Sequence, residues 1–141
     1  MIIFFVIWIL DSFVFRFSTI LIRYLPIIIQ IIGFVFFLIL GLFLAFRAEH
    51  VIFQDEKPNK LITTGILGHT RHPLYLGVLI IYIGFIFLTM SLISILGLII
   101  TFLMYNYIAS FEENELEEIF KEEYLEYKKK VPKWIPSIRS R

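Results

Sequence analysis

The stretch GHTRHPLYLG, residues 68–77, puts Arg71, His72 and Tyr75 where a polar segment runs into a long apolar one. A second polar pair, Glu112-Glu113, stands where the next apolar segment ends. A guanidinium, an imidazole, a phenol and two carboxylates are a set that can hold a charged small molecule. Paired carboxylates in a partly dry place attract a cation more strongly than they do in water. Ionisable side chains in membrane segments are costly, so they tend to mark a functional place. Pro73 suits the first turn of a helix and would hold His72 at its N-terminal mouth. Each residue has a plain structural reading as well. Arg71 could be a positive flank of a span, His72 a hydrogen bonder at a helix end, Glu112 and Glu113 partners of a helix dipole, and Tyr75 an interfacial aromatic. The functional reading rests on their joint placement.

The elements that must position them are helices in lipid. Of 141 residues, 59% are hydrophobic and sixteen are Phe, and the mean hydropathy is +0.85. Soluble domains are nearer half apolar. A membrane-spanning helix needs about 20 mostly apolar residues. Four segments approach this: 2–21, 24–46, 73–90 and 92–109. The opening MIIFFVIWIL lacks a basic flank before it and a small-residue cleavage site after it, so it reads as a retained helix rather than a signal peptide. Its Asp11 and Arg16 read as an ion pair to other protein or as snorkelling at the helix end. In the second segment Pro26 suits a helix start, while Gln30, Gly33 and Gly41 would let another helix approach. The polar stretch 48–72, with turn formers Pro58, Asn59 and Gly65, reads as a loop long enough to be functional.

Only TMSLIS separates the cores of the last two apolar segments, which predicts a tight antiparallel hairpin. Such a hairpin would bring the 60–75 region and Glu112-Glu113 to the same side. Beyond it, Leu116, Ile119, Phe120, Tyr124 and Tyr127 form one apolar stripe on a charged helix. Glu residues lead that helix and Lys128, Lys129 and Lys130 close it, as the dipole favours. Pro132 ends it, and Trp134 with nearby basic residues reads as an interfacial anchor. The expected fold is an all-α membrane protein with about four transmembrane helices, the last two a tight hairpin, followed by an amphipathic cytoplasmic C-terminal helix. It is read as one domain, 1–141: two N-terminal spans in 1–47, a loop in 48–72, the hairpin in 73–109 and a tail in 110–141. Lys57, Lys60, Arg71 and the basic tail would share one side, opposite the uncharged turn at 89–91. The positive-inside rule makes that side cytoplasmic. Heavy use of Ile and Phe suggests an AT-rich microbial genome, and hence a prokaryotic cytoplasmic membrane.

Other chemistries are excluded or left without support. With no cysteine there is no disulfide, thiolate metal site or Cys nucleophile. A net charge of +1 gives no reason to expect nucleic acid. There is no Gly-rich dinucleotide loop, no Walker loop and no HEXXH. His69 and His72 are three apart, but no third ligand is near, so no metal is expected.

Two stretches resemble a known family. LITTGILGHTRHPLYLG is similar to the LVTxGxYxxxRHPxYxG segment of the isoprenylcysteine carboxyl methyltransferases and their relatives, the membrane phospholipid methyltransferases. EENELEEIFKEEYLEYKKKVPKWIP is similar to that family's closing pattern, EExxLxxxFGxxYxxYxxxVPxxxP. The two occur in the family's order, across residues 58–138, separated by a hairpin of fitting length. The resemblance implies an integral-membrane methyltransferase that uses S-adenosyl-L-methionine without a Rossmann fold and takes a lipophilic methyl acceptor from the bilayer. It places cofactor contacts on Lys60, Leu61, Ile62, His72, Pro73, Leu74, Tyr75 and Glu112, with Gln54 as an upstream contact. Leu67 stands at the family's Tyr, making that contact apolar. Arg71 and Glu113 remain as candidate catalytic residues, for ion pairing or for handling the acceptor. Two further positions depart from the pattern. Lys121 stands at the Gly of FGxxY. Ile108 stands where enzymes acting on prenylcysteine carry an Arg for the substrate carboxylate, which leaves the acceptor open. The leading expectation is isoprenylcysteine carboxyl O-methyltransferase-like transfer to a lipidic or lipid-anchored acceptor. The alternatives are phospholipid (ethanolamine) N-methylation and a non-catalytic membrane scaffold that keeps the family fold.

Overall fold

A computed structural model describes residues 2–16, 18–19, 24–54 and 60–137, with side chains over 6–16, 18–19, 24–51 and 60–137. The elements are α1 (Ile2–Ile9) leading into a π-helical turn (Leu10–Phe15), α2 (Ile27–Gln54), a 3-10 turn (Gly65–Gly68), α3 (Pro73–Thr89), α4 (Leu92–Phe120) and α5 (Glu122–Lys130). Among the described residues there is no strand. Two helices, residues 27–51 of α2 and all of α4, are long and apolar enough to cross a membrane. Residues 6–15 and α3 form shorter apolar helices.

Several boundaries differ from those read in the sequence. The first helical run stops at Phe15 instead of reaching Leu21, because Arg16 turns left-handed at φ 53°. Helix α2 continues past Phe46 to Gln54, so the polar stretch begins as helix. Ala48, Glu49 and Gln54 carry no helix-breaking chemistry, and the next proline comes only at Pro58. Helix α4 likewise runs through the 109/110 boundary to Phe120. Charge does not interrupt a helix; the break comes at Lys121, at φ 47° and ψ −120°, and divides the expected tail helix in two. Met90, at φ 46°, and Ser91 join α3 to α4.

The chain falls into two compact units. The first comprises residues 1–41 and 79–103. Gly33 lets helix backbone and side chain come close there: an added Cβ would lie 2.6 Å from the Phe87 ring. Trp8 packs edge-on to Phe85, with 5.2 Å between ring centroids. Asp11 accepts hydrogen bonds from the Ser18 amide at 3.0 Å, the Ser18 hydroxyl, and the Ser91 hydroxyl at 3.0 Å. Ser91 also caps α4, its Oγ accepting from the Ile93 amide at 3.1 Å. A carboxylate placed in apolar sequence is thus satisfied by local hydroxyls.

The second unit comprises residues 42–78 and 104–141. Its apolar core is Leu61, Tyr124, Tyr127 and Val131, with Leu116 and Phe120 packed against it. Of the apolar stripe expected on the tail, Ile119 is exposed while Tyr124 and Tyr127 are buried. The 3-10 turn depends on Gly65, which sits at φ +63° with Val51 Cγ2 only 3.2 Å from where a Cβ would be.

Candidate functional site

The second unit assembles a polar cluster from three pieces of chain: the segment before α3, the polar end of α4, and the tail with α5. His72 immediately precedes α3, and its Nε2 lies 2.9 Å from Glu113 Oε1. Arg71 Nη2 lies 3.3 Å from the same oxygen, and Lys128 Nζ is 3.8 Å from the other. His72 Nδ1 faces Glu112 Oε2 at 3.6 Å, and the Tyr75 hydroxyl donates to Glu112 Oε1. The rings of His72 and Tyr75 stack at 5.8 Å, and Tyr75 stacks on Tyr105 at 4.8 Å.

Helical periodicity explains the contribution of α4. Tyr105 and Glu112, and likewise Asn106 and Glu113, are two turns apart and share a face. Asn106 accepts a hydrogen bond from Trp134 Nε1 at 3.2 Å, and Trp134 lies 6.0 Å from His72 by ring centroids. The two carboxylates differ in setting. The Glu113 side chain is 6% exposed and ringed by cations, whereas that of Glu112 is 42% exposed. Glu113 is therefore the enclosed carboxylate of the cluster, and Glu112 the more exposed one.

A backbone strap fixes Arg71 and His72. The Arg71 amide donates to the Pro132 carbonyl at 3.1 Å, and the Ser137 amide donates to the His69 carbonyl at 2.9 Å. Fully buried Thr70 donates its hydroxyl to the Lys133 carbonyl at 3.0 Å. His69 Nδ1 lies 2.8 Å from the Ser137 carbonyl. The Tyr127 hydroxyl donates to the Leu67 carbonyl at 2.6 Å. Burial pushes that hydroxyl up to about 12; the Arg71 charge opposes the shift and Glu113 adds to it. Tyr127 therefore stays a donor across the physiological range.

Five of the residues singled out in the sequence meet in this cluster: Arg71, His72, Tyr75, Glu112 and Glu113. Pro73 is buried beside them as the first residue of α3. The others lie elsewhere in the unit. Lys60 and Leu74 are exposed, Ile62 and Leu67 are half-buried, and Leu61 belongs to the apolar core. The side chain of Gln54 lies outside those described. Sequence reasoning missed Asn106, Tyr105, Lys128 and Trp134. The first two were legible as the α4 face that carries Glu112 and Glu113. By sequence Lys128 reads as a dipole partner and Trp134 as an anchor; their contacts to Glu113 and Asn106 are tertiary.

A cavity of about 710 Å³ opens in the same unit, lined among others by Thr63, Gly68, Tyr127 and Val131. Among the described residues, no three or more His, Cys, Asp or Glu side chains gather as a metal site.

Protein-S-isoprenylcysteine O-methyltransferase of Saccharomyces cerevisiae is 35% identical over 88 residues, covering 60% of this chain and 36% of that protein. The Xenopus laevis protein of the same name is 34% identical over 94 residues, 64% of this chain and 32% of its own length. The Homo sapiens protein is likewise 34% identical over 94 residues, 64% of this chain and 33% of its own. The matched part is thus about a third of the length of each of these relatives. No solved structure gives a significant match. The model of the family described as phospholipid methyltransferase matches residues 21–123, which take in α2, α3, α4 and the polar segment before α3. The chain belongs to the phospholipid methyltransferase family.

Proposed function

We propose that the chain is an integral-membrane methyltransferase that uses S-adenosyl-L-methionine to methylate a lipidic or lipid-anchored acceptor. The observation that carries this reading is the meeting of His72 and Tyr75 with Glu112 and Glu113, two sequence motifs brought to one place. The donor set suits such a cofactor: an accessible carboxylate for a cationic group, stacked aromatic rings beside it, and buried donors. S-adenosyl-L-methionine supplies a methyl group on a sulfonium, ready for in-line displacement. For such a transfer much of the acceleration comes from positioning. Glu112, held by Tyr75, provides negative charge toward the cationic end. Tyr75 and His72 orient polar groups, and Glu113 keeps His72 in place. No side chain needs to act as a general base if the acceptor is a carboxylate, or an amine left neutral in a dry site.

The reading includes four membrane crossings, α3 and α4 forming a hairpin, with the cluster on the cytoplasmic side of a prokaryotic membrane and the chain acting as one domain. It is supported by the apolar character of residues 6–15, α2, α3 and the first part of α4. Relatives named for isoprenylcysteine O-methylation favour a lipid-anchored carboxylate acceptor. A phospholipid amine is the second reading, favoured by the family description and by Ile108 at the position discussed above.

Calorimetric titration of the detergent-purified protein with S-adenosylhomocysteine tests the proposal. Saturable binding to the wild type, lost or greatly weakened in Glu112→Ala, is expected. A folded protein that does not bind, or a Glu112→Ala variant that binds as well as the wild type, would rule it out. Labelled-methyl transfer into extracted lipids, against transfer to a prenylated cysteine, separates the two acceptors.

A further inference from the structure

We infer that Arg71 is a receptor for a carboxylate, held ready by Glu113 with two donor-bearing nitrogens still open. The inference rests on the methyltransferase reading for its ligands, but its geometry is independent of it. The Arg71 side chain is only 9% exposed. Its Nη2 meets Glu113 at 3.3 Å, while Nε and Nη1 are buried without a hydrogen-bond partner. Buried polar groups are nearly always satisfied, and a guanidinium cannot escape the cost by losing its proton. Two buried N–H-bearing nitrogens left open on a permanent cation are therefore best explained by an acceptor that arrives with a ligand.

The chemistry of the surroundings narrows the ligand. A planar carboxylate matches the fork of a guanidinium. A phosphate dianion would bring a second negative charge beside Glu112, Glu113 and Glu117, where a carboxylate brings one. Arg71 is also anchored well enough to act as a fixed receptor. Its amide is bound to Pro132, and neighbouring Thr70 is bound to Lys133. Gly68, three residues ahead of Arg71, and Tyr127 line the 710 Å³ cavity of the same unit.

A methyltransferase of this kind meets two carboxylates: that of the cofactor's amino-acid end, and that of a C-terminal prenylcysteine. Binding measurements on the full-length detergent-purified chain separate them. S-adenosylhomocysteine is compared with 5′-methylthioadenosine, which lacks the amino-acid end. A prenylated cysteine acid is compared with its carboxamide. Each pair is titrated into wild type, Arg71→Gln and Arg71→Lys. If Arg71 holds the donor's carboxylate, Arg71→Gln weakens S-adenosylhomocysteine by roughly ten- to hundredfold and leaves methylthioadenosine unchanged. If it holds the acceptor's carboxylate, both nucleosides keep their affinity and the preference for acid over amide is lost. Arg71→Lys keeps the charge without the fork, so it loses part of the same discrimination; this variant decides the matter should Arg71→Gln fail to fold. Carboxylate discrimination equal to wild type in folded variants overturns the inference and leaves the methyltransferase reading standing. A wild type that binds neither nucleoside overturns that reading, and the acid-against-amide comparison then decides the inference alone.

Discussion

Glu113 and Glu112 are adjacent, yet their environments give them opposite consequences when removed. Glu113 is enclosed by Arg71, His72 and Lys128. Taking its carboxylate away leaves a buried guanidinium uncompensated, which typically costs about 3 kcal/mol or more. Glu112 is 42% exposed, so its pairings are screened and worth about 1 kcal/mol or less. Glu113→Ala should therefore lower the thermal midpoint in detergent strongly, while Glu112→Ala should leave it near wild type and act on ligand binding instead. Equal midpoints for the two variants would show that Glu113 does not organise the cluster. At this scale the sequence disclosed residue types better than their tasks. RHP and the Glu pair were legible because charge is rare in apolar surroundings. The division of labour between the two glutamates was not, because it follows from burial, which neighbours from other segments decide. Leu61 is the counterpart: placed by resemblance among the ligand contacts, it lies in the apolar core with Tyr124 and Tyr127.

Among the elements, the length of the apolar runs located the membrane helices, while helix ends were set by backbone conformation. Composition changes sharply at Ser110, but α4 passes through because Glu and Leu are good helix formers. The stop is at Lys121, at φ 47° and ψ −120°, a conformation suited to glycine. It is the position where the family's closing pattern carries Gly, so that departure marks a strained joint between α4 and α5. A non-glycine residue with a left-handed φ costs about 1–2 kcal/mol. Glycine would relieve this, less the roughly 0.5–1 kcal/mol it loses through unfolded-chain entropy. Lys121→Gly should raise the thermal midpoint modestly and Lys121→Ala should not. A lower midpoint for Lys121→Gly would mean that the lysine side chain stabilises the joint by more than the strain costs. The strap of residues 131–137 against 67–72 was illegible for a different reason. Backbone carbonyls take part in every one of its hydrogen bonds, including those of the His69 and Thr70 side chains, and a carbonyl carries almost no signature in residue type.

At the scale of the whole molecule the open quantity is the number of membrane crossings, and lengths make it testable. At 1.5 Å per residue, α2 and α4 are each about 40 Å long, more than the roughly 30 Å apolar core of a bilayer. Helix α3, with 17 residues, reaches only about 26 Å. Such a helix can still cross where the bilayer thins locally, at a modest cost per ångström. Because the chain has no cysteine, single introduced cysteines report their side without background. Tyr24 and Leu92 are exposed at one set of helix ends, and Lys60 and Glu122 lie in the polar part of the sequence. If α3 crosses, an impermeant maleimide applied to intact cells labels Tyr24→Cys and Leu92→Cys, while Lys60→Cys and Glu122→Cys react only after the membrane is opened. If α2 and α4 alone cross, Lys60→Cys and Leu92→Cys share a side, because nothing between them spans. The first pattern is the expected one. It would give the polar cluster access to a cytoplasmic cofactor while the apolar helices meet the lipid that carries the acceptor.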